Sequence, residues 1–402
     1  MLDLNSFINE YVTGRKESLF TVDLKKTHAQ MSARIDGKTL LVIGGAGTIG
    51  SSFIRAALRF KPAGLVVVDT NENGLTELTR DLRNGTDYNI PEDYLSYPMD
   101  FGAPVFAKML RHRGGFDIVA NFAAHKHVRS EKDRFSIEAM LENNVFKAKN
   151  LLDLLLAFPP ERYFSVSTDK AANPVNVMGA SKKLMEEVIL AYYRDFPVST
   201  ARFANVAFSN GSLPAGFMER LAKGQPLSAP TNVKRYFVSP EESGQLCLIA
   251  CVMGEAGHVF FPKLGEEQMM TFSKIGEDFL RAQGLEPDHC KTETEALAKA
   301  AARQPMSSAY PVLFTPADTS GEKGFEEFFT PGEDIDLSTY AELGFVKNAV
   351  RRSRQELSPL IDGLKEVLDR TDTDKSTIVN ALAALIPNFA HLETGRSLDG
   401  KM

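Results

Sequence analysis

The sequence predicts an α/β fold: a doubly wound parallel sheet with a smaller C-terminal lobe and helical extensions. Two observations lead there. Between residues 38 and 203, short apolar runs alternate with stretches of helical periodicity, the pattern of strands buried on both faces and joined by crossover helices. A glycine-rich turn also stands between the first such run and the first such helix. Composition agrees, since 43% apolar and 24% charged residues over 402 positions describe a globular chain. That length allows two or three domains of about 100–200 residues, or one large α/β unit with extensions.

In chain order, residues 1–36 are polar and mixed, an N-terminal arm with at most a short helix or two. Strands are expected at 38–43, 64–68, 94–98, 116–121, 163–167 and 198–203. Helices are expected at 51–60, after Asp69, and around 136–156 and 178–193. From Asn205 to Tyr236 the rhythm breaks into Gly/Pro/Ser-rich loops with one helix at 215–223. A strand at 258–262 and a helix at 273–283 precede a long polar stretch, and two helical patterns, 357–368 and 376–385, follow. The implied division is an arm (1–36), a nucleotide-binding domain (37–205, completed by about 236–262), mainly a substrate-binding lobe (206–346) and a helical extension (347–402).

A net charge of -6 supplies no basic field for a polyanion, so nucleic acid is not expected as a partner. No stretch approaches the ~20 uninterrupted apolar residues of a membrane span. The first residues lack the basic start and apolar run of a signal peptide, so a cytoplasmic location is expected. Cys247, Cys251 and Cys290 make no paired framework and have no zinc-ligand spacing; Cys247 and Cys251, on one helix face, read as packing, and no metal is expected.

The turn VIGGAGTIGSS places Gly44, Gly47 and Gly50 between strand and helix, the signature of a Rossmann-type dinucleotide site. The helix start, at Thr48 and Ile49, then faces the phosphates with unpaired N–H groups. Asp69 closes the next strand 19 positions after Gly50, where a carboxylate accepts from ribose hydroxyls. That acid favours NAD over NADP, because Thr70 and Asn71 offer no positive replacement and only Arg80 is a nearby cation. Asp100 and Phe101 either receive the adenine or serve as a helix cap and a core ring.

The strand at 163–167 runs into Thr168, Asp169 and Lys170, with Met178 and Lys182 beyond. Ligands of open α/β sheets bind at such strand ends. The residues alone leave two readings open: a catalytic cluster, or a helix cap with a solvated lysine.

The segments GGAGTIG, NFAAHKHV, SVSTDKAANPVNVMGASK, RFANVAFSNGS, KRYFVSPEE and SGEKGFEEF occur in this order within residues 38–330. Together they resemble the extended short-chain dehydrogenase/reductases of bacterial polysaccharide synthesis, specifically the UDP-N-acetylglucosamine 4,6-dehydratases. Met178 stands in the usual tyrosine slot, as in the branch that retains C5 configuration. The resemblance implies a redox-neutral reaction with bound NAD: hydride leaves C4, the C5 proton is lost, water leaves C6 and hydride returns to C6. It implies Thr168 at the C4 oxygen, Asp169 as acid at C6, Lys170 as base at C5 and Lys182 at the nicotinamide ribose. Ala123, Ala124, Asn71 and Asn144 would join the cofactor set. Asn205 and Arg235, then Arg202, would hold the phosphates of the UDP-sugar, and Lys126, Ser209 and Glu322 would border it. His125 and His127 read as packed loop histidines.

Departures are Asn121 where relatives often have His, Ala204 for a frequent Gly, and Asn210 for a frequent Arg. Many relatives with the methionine also carry a transmembrane region, which is not expected here. The helices at 136–156 and 178–193 match those that pair subunits in the superfamily, so a homodimer or higher homo-oligomer is expected. Competing activities are a 5-epimerising dehydratase, a UDP-hexose 4-epimerase, or a catalytically silent NAD-binding regulator.

Overall fold

The computed structural model describes residues 2–255, 257–318, 327–349 and 351–393. The arm holds α1 (Leu4–Phe7), a π turn (Ile8–Val12) and α2 (Thr21–Ile35), a longer helix than its mixed composition suggested. The alternating region then follows. It begins with β1 (Thr39–Ile43), α3 (Thr48–Leu58), β2 (Gly64–Asp69), α4 (Glu72–Asn84), β3 (Asp93–Pro98) and α5 (Pro104–Arg113). It continues with β4 (Ile118–Asn121), α6 (Arg134–Leu141), a π turn (Glu142–Phe146), α7 (Lys147–Leu155), β5 (Arg162–Val166), α8 (Val177–Leu190) and β6 (Val198–Ala201). Leu40 to Ile43 and Gly64 to Val68 are buried throughout, which is why these runs are apolar without alternation.

The rest of the chain contributes shorter pieces. These are β7 (Asn205–Val206), α9 (Leu213–Ala222), β8 (Leu227–Pro230), β9 (Lys234–Arg235), β10 (Phe237–Val238), α10 (Pro240–Met253) and β11 (His258–Pro262). After them come β12 (Met270–Thr271), α11 (Phe272–Ala282), β13 (Glu286–His289), α12 (Glu293–Ala302) and β14 (Ala309–Thr315). The last are β15 (Ile335–Asp336), β16 (Leu343–Val346), α13 (Arg354–Asp369) and α14 (Lys375–Leu385).

The main sheet has nine strands in the order β15-β16-β11-β6-β5-β4-β1-β2-β3. Neighbours from β11 to β3 are parallel, and β16 returns antiparallel to β11. The strand order reverses between β1 and β4, the switch point where such sheets open a crevice for ligands. This is a Rossmann-type α/β fold.

Two segments differ from expectation. Leu343 to Val346, assigned by sequence to the second lobe, joins the main sheet between β11 and the edge strand β15; four residues in a polar context carry too little pattern to show it. The polar stretch after residue 283 holds β13, α12 and β14, which with β8 form a second parallel sheet ordered β13-β14-β8. β13 is partly exposed along its length and α12 buries only Ala296, so neither shows a strong apolar face. The lobe's core gathers Phe208, Phe217, Phe279 and Tyr310 around Phe7, Ile8 and Val12 of the arm.

The helices expected to pair subunits run as α6, the π turn and α7 beside α8, and α13 and α14 lie against them in the same chain. Leu357 and Ile361 of α13 line one small cavity with Val188 of α8 and with Tyr192, two residues beyond its end. Among the described residues, no helix is long and apolar enough to cross a membrane.

Candidate active site

Where β1 ends, Gly44 adopts φ 75°, and a Cβ there would lie 2.6 Å from the Ala123 nitrogen. A Cβ on Gly50 would lie 2.3 Å from the Gly44 carbonyl, so only glycine lets α3 start this close to the turn. Gly47 caps α3 with no side-chain hydrogen bond, leaving the helix's first N–H groups without a side-chain acceptor. They open on a cleft of about 270 Å³. Gly44, Gly47, Thr48, Ile49, Gly50 and Asp69 line it at the β1 side, and Asp100, Phe101, Ala123, Ala124 and Lys126 line the rest.

Asp69 accepts from the amides of Ala46 (3.0 Å) and Asn71 (2.9 Å), joining the glycine turn to the end of β2. Asp100 lies between Lys147 and the Gly102 amide; burial opposes its ionisation, but these donors outweigh it and hold the carboxyl below its ordinary value. Asn71 is placed differently from expectation. Its side-chain oxygen caps α4 by accepting from Gly74 (2.9 Å), and it does not line the cleft. Asn144 is likewise behind the cleft, only 1% exposed. It takes the His125 amide (2.9 Å) and donates to the His125 carbonyl (2.9 Å) and Ser181 Oγ (3.0 Å), while Asn143 lines the cleft instead. His125 and His127, expected as packed, are exposed.

The end of β5 leads into a 3-10 turn, Asp169–Ala171, with Thr168 at its cap. Asp169 is 2% exposed. Its Oδ1 accepts from Thr168 Oγ1 (2.7 Å), the Lys170 amide (2.9 Å) and Lys170 Nζ (3.0 Å). Its Oδ2 is buried with no hydrogen-bond partner, an expensive state for a carboxylate oxygen. Met178, in the first turn of α8, is 3% exposed and packs in the main core. Lys182 follows one turn later, with Nζ donating to the Val166 carbonyl (2.8 Å). Burial lowers its pKa to about 7, against the opposing pull of Glu186. Thus Lys182 contacts the end of β5 and not the cleft. Asn144 ties its helix to the cleft-lining loop through Ser181.

The phosphate-binding candidates separate. Asn205, on β7, has a buried Nδ2 without a hydrogen-bond partner. Arg235, 6% exposed on β9, lies one residue from Tyr236, whose carbonyl accepts from the Asn205 amide (3.0 Å). Ser209 is buried in the turn that follows, where its carbonyl accepts from Ser212 (2.9 Å). Arg202, by contrast, is 1% exposed and fully engaged. It forms paired hydrogen bonds with Glu186 (2.9 and 2.8 Å) and with Glu333 (2.9 and 2.9 Å). Its role is to join α8 to the segment before β15, which corrects the expectation of a phosphate ligand. Glu322 lies outside the described residues.

A second cleft, of about 460 Å³, was not foreseen. It runs between α9 and β8, with His127, Ser212, Arg220, Pro230, Phe272 and Thr315 on its walls. Residue 210, next to Gly211 of the second cleft, is tied to two residues of the first: its amide donates to Thr48 Oγ1 (3.0 Å) and its carbonyl accepts from Lys126 Nζ (2.9 Å). A cap followed by proline in the first turn of α9, Ser212 and Pro214, was the available signal; the opposite wall comes from β8 and β14.

A two-cleft Rossmann-type chain with a Thr-Asp-Lys turn at a strand end, its aspartate buried, is the class that fold and site define. The chain belongs to the polysaccharide biosynthesis protein family, whose model matches residues 40–341. An uncharacterized membrane protein of Methanocaldococcus jannaschii is 30% identical over 62% of this chain and 74% of its own. The capsular polysaccharide biosynthesis protein CapD of Staphylococcus aureus is 25% identical over 78% of this chain; the chain spans only 51% of that relative. A UDP-N-acetylglucosamine 4,6-dehydratase (inverting) of Campylobacter jejuni is 25% identical over 57% of this chain and 68% of its own. A UDP-glucose 4-epimerase of Rickettsia conorii is 28% identical over 60% and 70%. Among solved structures, Pen from Bacillus thuringiensis superimposes with a TM-score of 0.63 at 20% identity, covering 80% of this chain and 91% of that one.

Proposed function

We propose that the chain is a nucleotide-sugar 4,6-dehydratase with a resident nicotinamide dinucleotide, converting UDP-N-acetylglucosamine to a UDP-4-keto-6-deoxyhexosamine with C5 retention, for surface polysaccharide or rare-sugar synthesis. The observation that carries this reading is Asp169, whose Oδ1 is saturated by Thr168 and Lys170 while buried Oδ2 awaits a donor. A 4-epimerase has no use for an acid and a base beyond C4.

The residues of the first cleft fit the dinucleotide. The open start of α3 suits its pyrophosphate, and the Asp69 carboxylate suits an unphosphorylated ribose. Arg80, a cation near enough in sequence to meet a 2′-phosphate, is exposed and paired with Glu77. When bound, the nicotinamide supplies a hydride acceptor at C4 and a donor at C6. Asn205 and Arg235 would hold the UDP phosphates, and the second cleft the nucleoside.

The chain's own chemistry is then a set of proton movements. Thr168 hydrogen-bonds the C4 oxygen. Asp169 takes the C4 hydroxyl proton on Oδ2 and delivers it to the departing C6 hydroxyl, so that water leaves. Lys170 removes the C5 proton and returns it to the same face.

Incubating the purified chain with NAD and UDP-N-acetylglucosamine and following products by NMR tests this. A 4-keto-6-deoxy product with retained C5, and no net NADH, is expected. UDP-N-acetylgalactosamine would instead establish the epimerase, which the 28% identity to a UDP-glucose 4-epimerase keeps as the second reading; an inverted C5 would establish the 5-epimerising dehydratase, and no conversion the silent regulator.

A further inference from the structure

The C-terminal extension reaches the catalytic turn through a carboxylate that the proposed chemistry does not use. Glu131, in the loop before α6, has a side chain only 6% exposed. Its Oε2 accepts from the Val177 amide at 2.6 Å, the first N–H of α8 and the residue before Met178. A carboxylate there complements the helix's positive end, while Asn176 Oδ1 takes the Gly179 amide at 2.7 Å. Two groups from the extension hold Glu131 in turn. His391 Nε2 hydrogen-bonds its Oε1, and Lys375 Nζ lies 3.8 Å from Oε1 and 3.3 Å from the Glu131 carbonyl. Glu131, His391 and Glu393 could offer ligand atoms to a metal, but the Lys375 ammonium already stands among them, 2.6 Å from Glu393.

The same stretch of extension runs along the chain that joins Lys170 to Met178. Asn388 Nδ2 donates to the Ala172 carbonyl (2.8 Å), the Ala390 amide to Pro174 (3.1 Å) and the Leu392 amide to Val175 (2.9 Å). The start of α8 also bears directly on the catalytic turn, because a Cβ on Gly179 would lie 2.6 Å from the Lys170 carbonyl. Any displacement of the first turn of α8 therefore moves the backbone of Lys170, or opens a gap behind it.

We propose that Glu131, held by His391 and Lys375 of the C-terminal extension, is a positioning residue that fixes the start of α8 and, through it, the Asp169–Lys170 turn. The extension is thus a cis-acting clamp on the active site. The proposal rests on the catalytic reading of Asp169 and Lys170, and its test has an arm independent of that reading.

Glu131→Ala, Glu131→Gln and His391→Ala are made in the full chain and compared with wild type. Three quantities are read: turnover of UDP-N-acetylglucosamine, thermal unfolding, and amide exchange over residues 170–180. Loss of the anchor should lower kcat about ten-fold or more, since small displacements of reacting groups are costly, while KM for the sugar changes about two-fold at most. Exchange of the 170–180 peptide should rise about ten-fold in Glu131→Ala with Tm within a few degrees of wild type. Glu131→Gln, which keeps an acceptor for the Val177 amide, should recover part of kcat. Wild-type exchange in Glu131→Ala would overturn the proposal, as would a loss of kcat that only follows a fall in Tm. Were the wild-type chain to convert no sugar, the dehydratase reading would fail and the exchange measurement would still decide the clamp.

Discussion

Asp169 and Lys182 show how burial divides the work between two charged residues on neighbouring elements. With Asp169 as the proton carrier and Lys170 as the C5 base, Asp169→Asn and Lys170→Ala should each lower dehydration by about 10²–10⁴-fold. NAD binding, followed by equilibrium dialysis, should stay at the wild-type level, because neither residue lines the first cleft. Lys182 makes a different prediction. Its pKa falls from 10.5 to about 7 through burial. Below pH 7 the lysine is protonated in both folded and unfolded chains, and burying that charge opposes folding. Between about 7 and 10.5 the folded chain binds fewer protons than the unfolded one, so stability rises with pH. In cofactor-free protein, urea unfolding should therefore show any stability advantage of Lys182→Met over wild type shrinking from pH 7 to pH 9. A constant difference would show that Lys182 is solvated.

At the scale of elements, α8 is unusual in that all 14 of its residues are buried within one chain. A helix that pairs subunits would leave one face open, and here α14, with α13 near its C-terminal end, covers it. Leu357, Ile361, Leu364 and Leu368 recur at helical spacing and are buried, and Ile378, Leu382 and Leu385 do the same in α14. At the margin, Arg352 pairs with Glu187 (2.8 Å), and the Arg354 guanidinium stacks 5.4 Å from the Tyr192 ring. The expected outcome is that this face does not pair subunits: whatever homodimer or higher homo-oligomer forms, as the resemblance implied, its contact lies elsewhere, and light scattering should give the same mass for wild type and for charge substitutions on α8. A dimer broken by charge substitutions on α8 would contradict this. Ile361→Ala should cost about 2–5 kcal/mol by denaturant unfolding, as a 1% exposed residue whose methyl groups fill the contact.

The whole molecule is held together by segments that lie outside the core of the main sheet. Phe7 of the arm packs edge-on against Phe208 and Phe279 of the second lobe, at 5.7 and 6.1 Å between ring centres. Eight residues later Arg15 grips Glu242, at the start of α10, through two hydrogen bonds of 2.8 and 2.7 Å. Glu242 is 2% exposed, so removing its partner leaves a buried charge short of compensation. Arg15→Ala should therefore lower stability by about 3 kcal/mol in denaturant titration. An effect below about 0.5 kcal/mol would mark the pair as a surface contact.

What the amino-acid order determined by itself is what depends on near neighbours. Apolar runs that alternate with helical patterns define β1 to β6, and Gly44, Gly50 and Asp69 place a cleft at the first strand end, because turn, helix start and acid lie close together in the chain. Thr168, Asp169 and Lys170 also stand together at a strand end, but the residues alone left a catalytic cluster and a helix cap both open, and only the resemblance chose between them. Only the tertiary structure decided how distant partners are used. Arg202 reads as a phosphate ligand at a strand end until Glu186 and Glu333, 16 and 131 positions away, are seen to take its guanidinium. Asn144 reads as a cofactor contact until its amide is seen to hold His125 and Ser181. The long cationic and amide side chains can choose among many partners, and that choice is made by the packing of elements. The C-terminal extension is the largest case: its helical period was plain, but a helical period does not name the face it covers, and Glu131, His391 and Val177 meet only when the chain is folded.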